Sequence, residues 1–264
     1  MSKIIIRRVF SGSNQLGNLA AVEVCESKQL FDDTLLLQQR AKTNRQPISA
    51  FIIADNSHSL RSYSIRWFSP TSEVALCGHG ALAAADLILS SINTDKTNTQ
   101  CLFSNKNITV QQLGHRKYIL HLPPIELLPC TLSSGISGLF NVTALNAMQT
   151  ETDSGYLIVS VKNKATVGTF DFDERKYSGL TRRALIVSCK SEDKPDLIYF
   201  RYFAPQYGER EDSATGSAAP VLAEFWKLSF DKLCHCEQLS PTGGYYQLKR
   251  SEESIQVVST VCDA

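Results

Sequence analysis

Residues 66–85 read RWFSPTSEVALCGHGALAAA, and residues 201–220 read RYFAPQYGEREDSATGSAAP. Both open Arg-aromatic-Phe-small-Pro, as Arg66-Trp67-Phe68-Ser69-Pro70 and Arg201-Tyr202-Phe203-Ala204-Pro205. Both then cross a short acidic stretch into a glycine followed by an alanine-rich run: Gly78-His79-Gly80-Ala81 in the first, Gly216-Ser217-Ala218 in the second. A strand that feeds a glycine-containing loop and then an apolar helix, written twice in one chain, points to duplication. Two copies are too few for a solenoid. The economical reading is a pseudo-twofold pair of domains facing one cleft.

Working outward, strand-like runs rich in Ile, Val and aromatics cover 4–10, 20–25, 48–54, 60–68, 99–103, 108–113 and 118–122. They are bounded by Gly, Asn, Ser or Pro. Helical patterns are expected over 32–42, with Leu35, Leu36, Leu37 and Ala41 toward a core, and over 80–93. Pro123-Pro124 is a natural boundary. It divides the chain into domains 1–122 and 123–264, with the C-terminal strand free to pack back onto the first. The second half repeats the recipe with strands at 155–161, 184–189, 197–203, 245–249 and 255–261, a helix over 214–227 and shorter helices within 134–145. The expected fold class is α+β.

Composition narrows the function classes. The chain has 264 residues, 43% hydrophobic and 20% charged, which is ordinary for a globular protein. A formal charge of +1 offers no global attraction for nucleic acid or an anionic membrane. No apolar run approaches the roughly 18–20 residues that span a bilayer. The opening MSKIIIRRVF lacks a small-residue cleavage site, so a cytoplasmic location is expected. Eight cysteines without a secretory signal read as free thiols. Cys234-His235-Cys236 has no second ligand pair for a structural zinc, and its alternation suits a strand with both cysteines on one face; no metal is expected.

The two glycine loops carry the candidate chemistry. The first turn of a helix presents unpaired N–H groups and a partial positive charge, which suits a carboxylate or phosphate. Gly78, Gly80 and Gly216 lack a Cβ and admit a ligand close to the backbone. They could equally serve close helix–strand packing; the doubled context favours the ligand. His79 lies inside the first loop, with an ordinary pKa of roughly 6.5 suited to proton transfer near neutrality. Asp212 precedes the second loop, where it could orient His79, take a proton itself, or cap the following helix. Ser217 stands in the place of His79 and could hydrogen-bond the ligand, but no Gly-X-Ser-X-Gly elbow surrounds it. Cys77 precedes Gly78 while Ala214 occupies the related place, so no thiol pair can shuttle a proton there. Arg45, Gln46, Tyr207, Tyr245 and Tyr246 are candidate pocket walls by nearness to the motifs.

Four stretches together resemble the PhzF family, the phenazine-biosynthesis isomerase-like proteins of diaminopimelate-epimerase-like fold. They are Gly17-Asn18; Phe68-Ser69-Pro70 with Glu73-Val74 and Cys77-Gly78-His79; 211–218, EDSATGSA; and Gly243-Gly244-Tyr245. The resemblance implies two pseudo-symmetric domains, each a mixed sheet or open barrel around a central helix, with a cleft between them. It further implies a homodimer, no metal and no organic cofactor, and a small anionic metabolite as the ligand. It matches His79 and Asp212, expected to be catalytic, and Ser217; with the loop residues Gly78, Gly80, Thr215, Gly216 and Gly243, Ser217 is expected to bind the substrate. The family member of known activity isomerises a dihydro-hydroxyanthranilate, a glutamate taking the proton. Aligned through Phe51, that glutamate falls on Ile48, and residues 44–53 contain no carboxylate. The expectation is a proton-shifting isomerase of a small carboxylated metabolite. The alternative is a catalytically silent relative that binds a small anion or a partner.

Overall fold

The computed structural model describes residues 4–55, 61–90 and 99–264. The chain divides into two compact units: the described residues up to Leu122 together with Gln256–Ala264, and Pro123–Ile255. The first holds β1 (Ile5–Val9), β2 (Asn18–Val24), α1 (Lys28–Asp32), α2 (Thr34–Asn44), β3 (Ile48–Ala54), β4 (Ser62–Phe68), β5 (Glu73–Val74), α3 (Gly78–Ser90), β6 (Gln100–Phe103), β7 (Ile108–Gly114) and β8 (Lys117–Leu122). The second holds β9 (Leu128–Pro129), α4 (Ser134–Ser137), β10 (Asn146–Gln149), β11 (Tyr156–Ser160), α5 (Lys164–Gly168), α6 (Glu174–Leu180), β12 (Ala184–Lys190), β13 (Leu197–Ala204), β14 (Glu209–Glu211), α7 (Ala219–Phe225), β15 (Leu233–Gln238) and β16 (Gly244–Arg250). The last strand, β17 (Ile255–Asp263), belongs to the first unit from Gln256 onward.

The duplication read from the sequence is present in the pairing pattern. In the first unit β1–β2 is antiparallel, β2–β3 parallel, β3–β4 antiparallel, β4–β6 parallel and β6–β7 antiparallel. In the second, β10–β11, β11–β12, β12–β13, β13–β15 and β15–β16 follow the same order of directions. In the first unit β8 pairs with β7, and β17 pairs with both β8 and β1. The sheet therefore returns on itself as a barrel rather than remaining open, and no strand of that ring is an edge.

The helix inside this ring is α3. Its sequence, GHGALAAADLILS, is apolar almost all round, the pattern of a helix buried on every side, and Gly78 through Asp86 are all buried. It packs against β1, β2, β3, β6, β7 and β8. Its one acid, Asp86, is fully buried and paired: it accepts from Arg7 Nε on β1 at 2.6 Å and from Tyr118 Oη on β8 at 2.9 Å. Arg7 also reaches Asp263 at 2.9 Å, and Arg116 donates to Asp263 at 2.6 Å. The strands on either side of β17 are thus tied to the helix and to the end of β17.

The repeated Arg-aromatic-Phe has a structural answer. Alternation along a strand sends Arg66 and Phe68 to one face and Trp67 to the other. Arg66 bonds Glu73 on β5 through two nitrogens at 2.8 and 2.7 Å, donates to Phe31 O at 2.8 Å, and lies over the Phe68 ring. Arg201 does the same with Glu211 at 2.7 and 2.7 Å, Phe170 O at 2.8 Å and the Phe203 ring. Phe68 joins the core beneath α1 and α2; Phe203 joins the core with Phe170, Phe172 and Tyr177. Each arginine clamps a short strand onto the sheet.

Several expected elements are corrected. The helix over 32–42 is two helices broken at Asp33, whose N–H closes α1 on Leu30 O and whose Oδ1 caps α2 by accepting from Leu36 N–H at 3.0 Å. Leu37 and Ala41 are buried, but Leu35 is 84% exposed. The helix over 214–227 is a 3₁₀ turn at Gly216–Ala218 followed by the seven-residue α7, with Pro220 in its first turn. Within 134–145 only α4 is helical. Strand β10 and helices α5 and α6 were not expected, although Asn163 and Asp173 cap the two helices. Residue 60 of one expected strand and 91–93 of one expected helix lie outside the described residues. Among the described residues no helix is long and apolar enough to cross a membrane.

Candidate functional site

In the first unit, Gly78, His79 and Gly80 form the opening turn of α3. Cys77 caps that turn: its carbonyl accepts from Ala81 N–H at 3.0 Å and its Sγ from Gly80 N–H at 3.4 Å. His79 Nδ1 lies 3.4 Å from the same sulfur. The imidazole is 4% exposed, and burial lowers its pKa from 6.5 to about 4. His79 is therefore neutral near pH 7, a proton acceptor rather than an acid.

Gly80 owes its identity to packing. A Cβ there would stand 2.6 Å from Trp67 Cδ1, 3.0 Å from Trp67 Nε1 and 3.1 Å from Ile48 Cγ2. The indole edge and Ile48 thus close on the first turn of α3. Ile48 is 6% exposed, an apolar wall where the family resemblance puts a carboxylate. Trp67 is fully buried, and its Nε1 has no hydrogen-bond partner among the described residues. Upstream, Gly17 takes φ +71°, and a Cβ there would fall 2.2 Å from Val9 O, so this turn into β2 requires glycine. Asn18, buried behind it, accepts from Leu19 N–H at 3.0 Å.

In the second unit, Asp212, Thr215, Gly216 and Ser217 share one loop between β14 and α7. Thr215 Oγ1 donates to Asp212 Oδ2 at 2.6 Å, while Thr215 N–H donates to Gln238 Oε1 at 2.7 Å. The Gln238 amide in turn donates to Asp212 O, so one buried glutamine on β15 sets the loop. Gly243, at φ +69°, donates to Ser240 Oγ at 3.1 Å, and Ser240 donates to Ser213 O. Gly244 then abuts Ala214, where a Cβ would come within 2.6 Å. The β15–β16 turn is thereby fastened to the Asp212 loop.

Sequence reasoning missed three residues here. Gln238 is one. The others are Tyr156, hydrogen-bonded with Ser217, and Tyr202, packed edge-on to it with ring centroids 6.4 Å apart. Burial pushes both phenols above their ordinary pKa; for Tyr202 the neighbouring Tyr156 and Asp212 add to it. Tyr202 was visible as the middle letter of the repeated motif, in the register of Trp67. Of the candidate walls, Arg45 is the left-handed cap of α2, and Tyr207 donates to Ser154 O and Arg182 O at 3.1 Å each. Tyr246 is buried, and Tyr245 bonds His235 at 2.6 Å on the face of β15 opposite Cys234 and Cys236. An open hollow of about 530 Å³ runs past Arg201, Arg210, Asp171 and Ser240, but its charged walls are already paired with one another.

The chain matches the PhzC-PhzF family, described as phenazine biosynthesis-like protein, over residues 8–253. It is 33% identical over 255 residues to an uncharacterized isomerase of Vibrio cholerae, covering 96% of this chain and 85% of that one. A phenazine biosynthesis-like domain-containing protein of Bos taurus is 31% identical, across 91% and 89% of the two chains. A crystal structure of a PhzF family protein from Enterococcus faecalis has the same fold, with a TM-score of 0.82 at 23% identity over 100% of this chain and 97% of that one. A hydroxyproline epimerase from Agrobacterium vitis, solved with bound trans-4-hydroxy-L-proline, shares the fold more distantly, with a TM-score of 0.60 at 10% identity over 100% and 89%. With its duplicated barrel-like topology and a match across nearly its whole length, this chain belongs to the PhzF, phenazine biosynthesis-like family.

Proposed function

We propose that the protein is a cofactor-independent isomerase that shifts a proton on a small carboxylated metabolite, cyclic or derived from an amino acid. The observation that carries this reading is His79: a buried, neutral imidazole at the head of the central helix, in the motif position that the family resemblance assigns to catalysis. A neutral imidazole accepts a proton from carbon without first losing one. Asp212, steadied by Thr215 and the Gln238 clamp, is the second acid/base group that the family resemblance assigns. Ser217 and the backbone of Gly78, Gly80, Gly216 and Gly243 are the substrate-binding groups. With Ile48 in place of an acid, His79 and Asp212 are the acid/base groups that remain to remove and return the proton. The working form, by the same resemblance, is a homodimer of twice the 29.2 kDa chain mass, which light scattering measures.

The test is incubation of cyclic and amino-acid-derived carboxylates in deuterated water. An isomerase washes deuterium into the carbon it deprotonates, and His79→Gln reduces that exchange by about 10²-fold or more. A second reading rests on Ile48, whose side chain closes on the opening turn of α3 and exchanges no proton. On it the protein only binds its anion. Saturable binding without deuterium uptake by any member of the panel decides for that reading.

A further inference from the structure

The strand register relates the two units residue by residue. Across β2, β3 and β4, Ala20 pairs with Ile48 and Ala50 with Trp67; across β11, β12 and β13, Tyr156 pairs with Ala184 and Ile186 with Tyr202. Directly paired residues share a face of the sheet, as do residues two apart along a strand. The place of Ala20 is therefore taken by Tyr156 in the second unit, and that of Ile48 by Ala184. The bulk has moved one strand over and gained a hydroxyl. Ser217 stands where His79 does, one residue after the motif glycine. It is partly exposed, and it is hydrogen-bonded with the Tyr156 phenol.

The fold does not demand a phenol at this corner, since the first unit closes it with an alanine and an isoleucine. The ring is nonetheless held firmly. Tyr156 N–H donates to Thr150 Oγ1 at 2.9 Å, Thr150 N–H donates to Tyr156 O at 3.0 Å, and the ring packs edge-on against Tyr202. Burial holds the phenol above its ordinary pKa, so it carries its proton at neutral pH. A phenol is a stronger hydrogen-bond donor than an aliphatic hydroxyl and a weaker acceptor, so in this pair the tyrosine donates and Ser217 Oγ accepts. The serine hydrogen is then turned away from the ring, and the bond it receives strengthens the one it can give.

We propose that Tyr156 is a positioning residue, whose hydrogen bond fixes the rotor of Ser217 so that the serine O–H donates outward to an anionic oxygen of the ligand. This rests on the reading of Ser217 as a substrate-binding group, and adds which polarity it presents and what sets it. Without the phenol the serine hydroxyl turns freely, and accepts from an N–H as readily as it donates to an oxygen.

The test titrates acetate and acetamidinium separately into the ¹⁵N-labelled full chain, followed at the amides of Gly216 and Ser217. The two ions are planar and of one size, but acetate presents acceptors and acetamidinium donors. Acetate shifts these amides in a saturable way, and acetamidinium binds about tenfold more weakly or worse. Tyr156→Phe, which keeps the ring against Tyr202, weakens acetate binding by about threefold or more and narrows the ratio between the two ions. Tyr177→Phe also deletes the hydrogen bond of a buried phenol, to Arg183 O at 3.0 Å, and leaves that ratio unchanged. An unaltered ratio in Tyr156→Phe overturns the proposal, while Ser217 remains a ligand group. If acetate moves neither amide of the native chain, or binds Ser217→Ala as it binds the native chain, the substrate-binding reading of Ser217 falls and the proposal with it. Should Tyr156→Phe fail to fold, the native chain decides alone: acetamidinium bound as tightly as acetate overturns the assigned polarity.

Discussion

His79 shows how one buried side chain changes what acid does to the protein. Its native pKa of about 4 lies below the ordinary 6.5, because an imidazolium at that depth loses its hydration. Between those values the unfolded chain binds a proton that the native chain does not. The residue's contribution to stability is therefore complete above pH 6.5 and is lost as pH falls toward 4. From pH 7 to pH 5 the loss should be on the order of 2 kcal/mol. Urea titrations at the two pH values should show that drop, reduced in His79→Gln; His121, also lowered by burial, accounts for part of what remains. In turnover, the acidic limb of kcat/KM should sit near pH 4 rather than near 6.5. The residue itself was legible in the motif. Its acidity was not, since burial is set by strands remote in sequence.

The elements that sequence recovered best are the strands, because β-branched alternation bounded by turn residues carries its own signal: β3 runs over 48–54 as expected. The helices were recovered less well. Asp33 and Pro220 change the path of the chain within an apolar stretch, and periodicity alone does not register a cap in mid-run. At the helix–sheet contact, Gly80→Ala should cost about 1–3 kcal/mol, since the new methyl meets a fully buried indole with nowhere to move. Denaturant unfolding measures it. The paired arginines allow an internal comparison. Glu211 is 11% exposed and Glu73 38%, so Arg201→Met strands the more buried carboxylate. It should cost about 2 kcal/mol, and Arg66→Met less. Equal losses would mean that the two clamps contribute through the ring stacking they share.

At the scale of the whole molecule, the duplication was readable because Arg-aromatic-Phe recurs at residues 66 and 201 and the glycine loop at 78 and 216. The letters left the C-terminal strand free to pack back onto the first domain; in the structure β17 pairs with β8 and β1 and closes the first unit. The run 255–261 reads as one more alternating strand, and its pairing with β1 and β8, fastened by the clasp of Arg7, Asp86, Tyr118, Arg116 and Asp263, shows where it goes. Asp86→Ala should destabilise the first unit by about 3 kcal/mol, by taking the acceptor from the buried Tyr118 hydroxyl and leaving Arg7 only the exposed Asp263. Deleting the residues after Ser254 should abolish the slow amide exchange of β1 and β8, which hydrogen-exchange measurements resolve.

The placement of β17 also bears on biosynthesis. A ribosome must finish the entire second unit before the segment that seals the first has been made. Until then β1 and β8 are bare margins able to zip onto other nascent chains. Slowing translation ahead of codon 255 should therefore raise misassembly of the amino-terminal half, while chaperones that shield strand margins should relieve it.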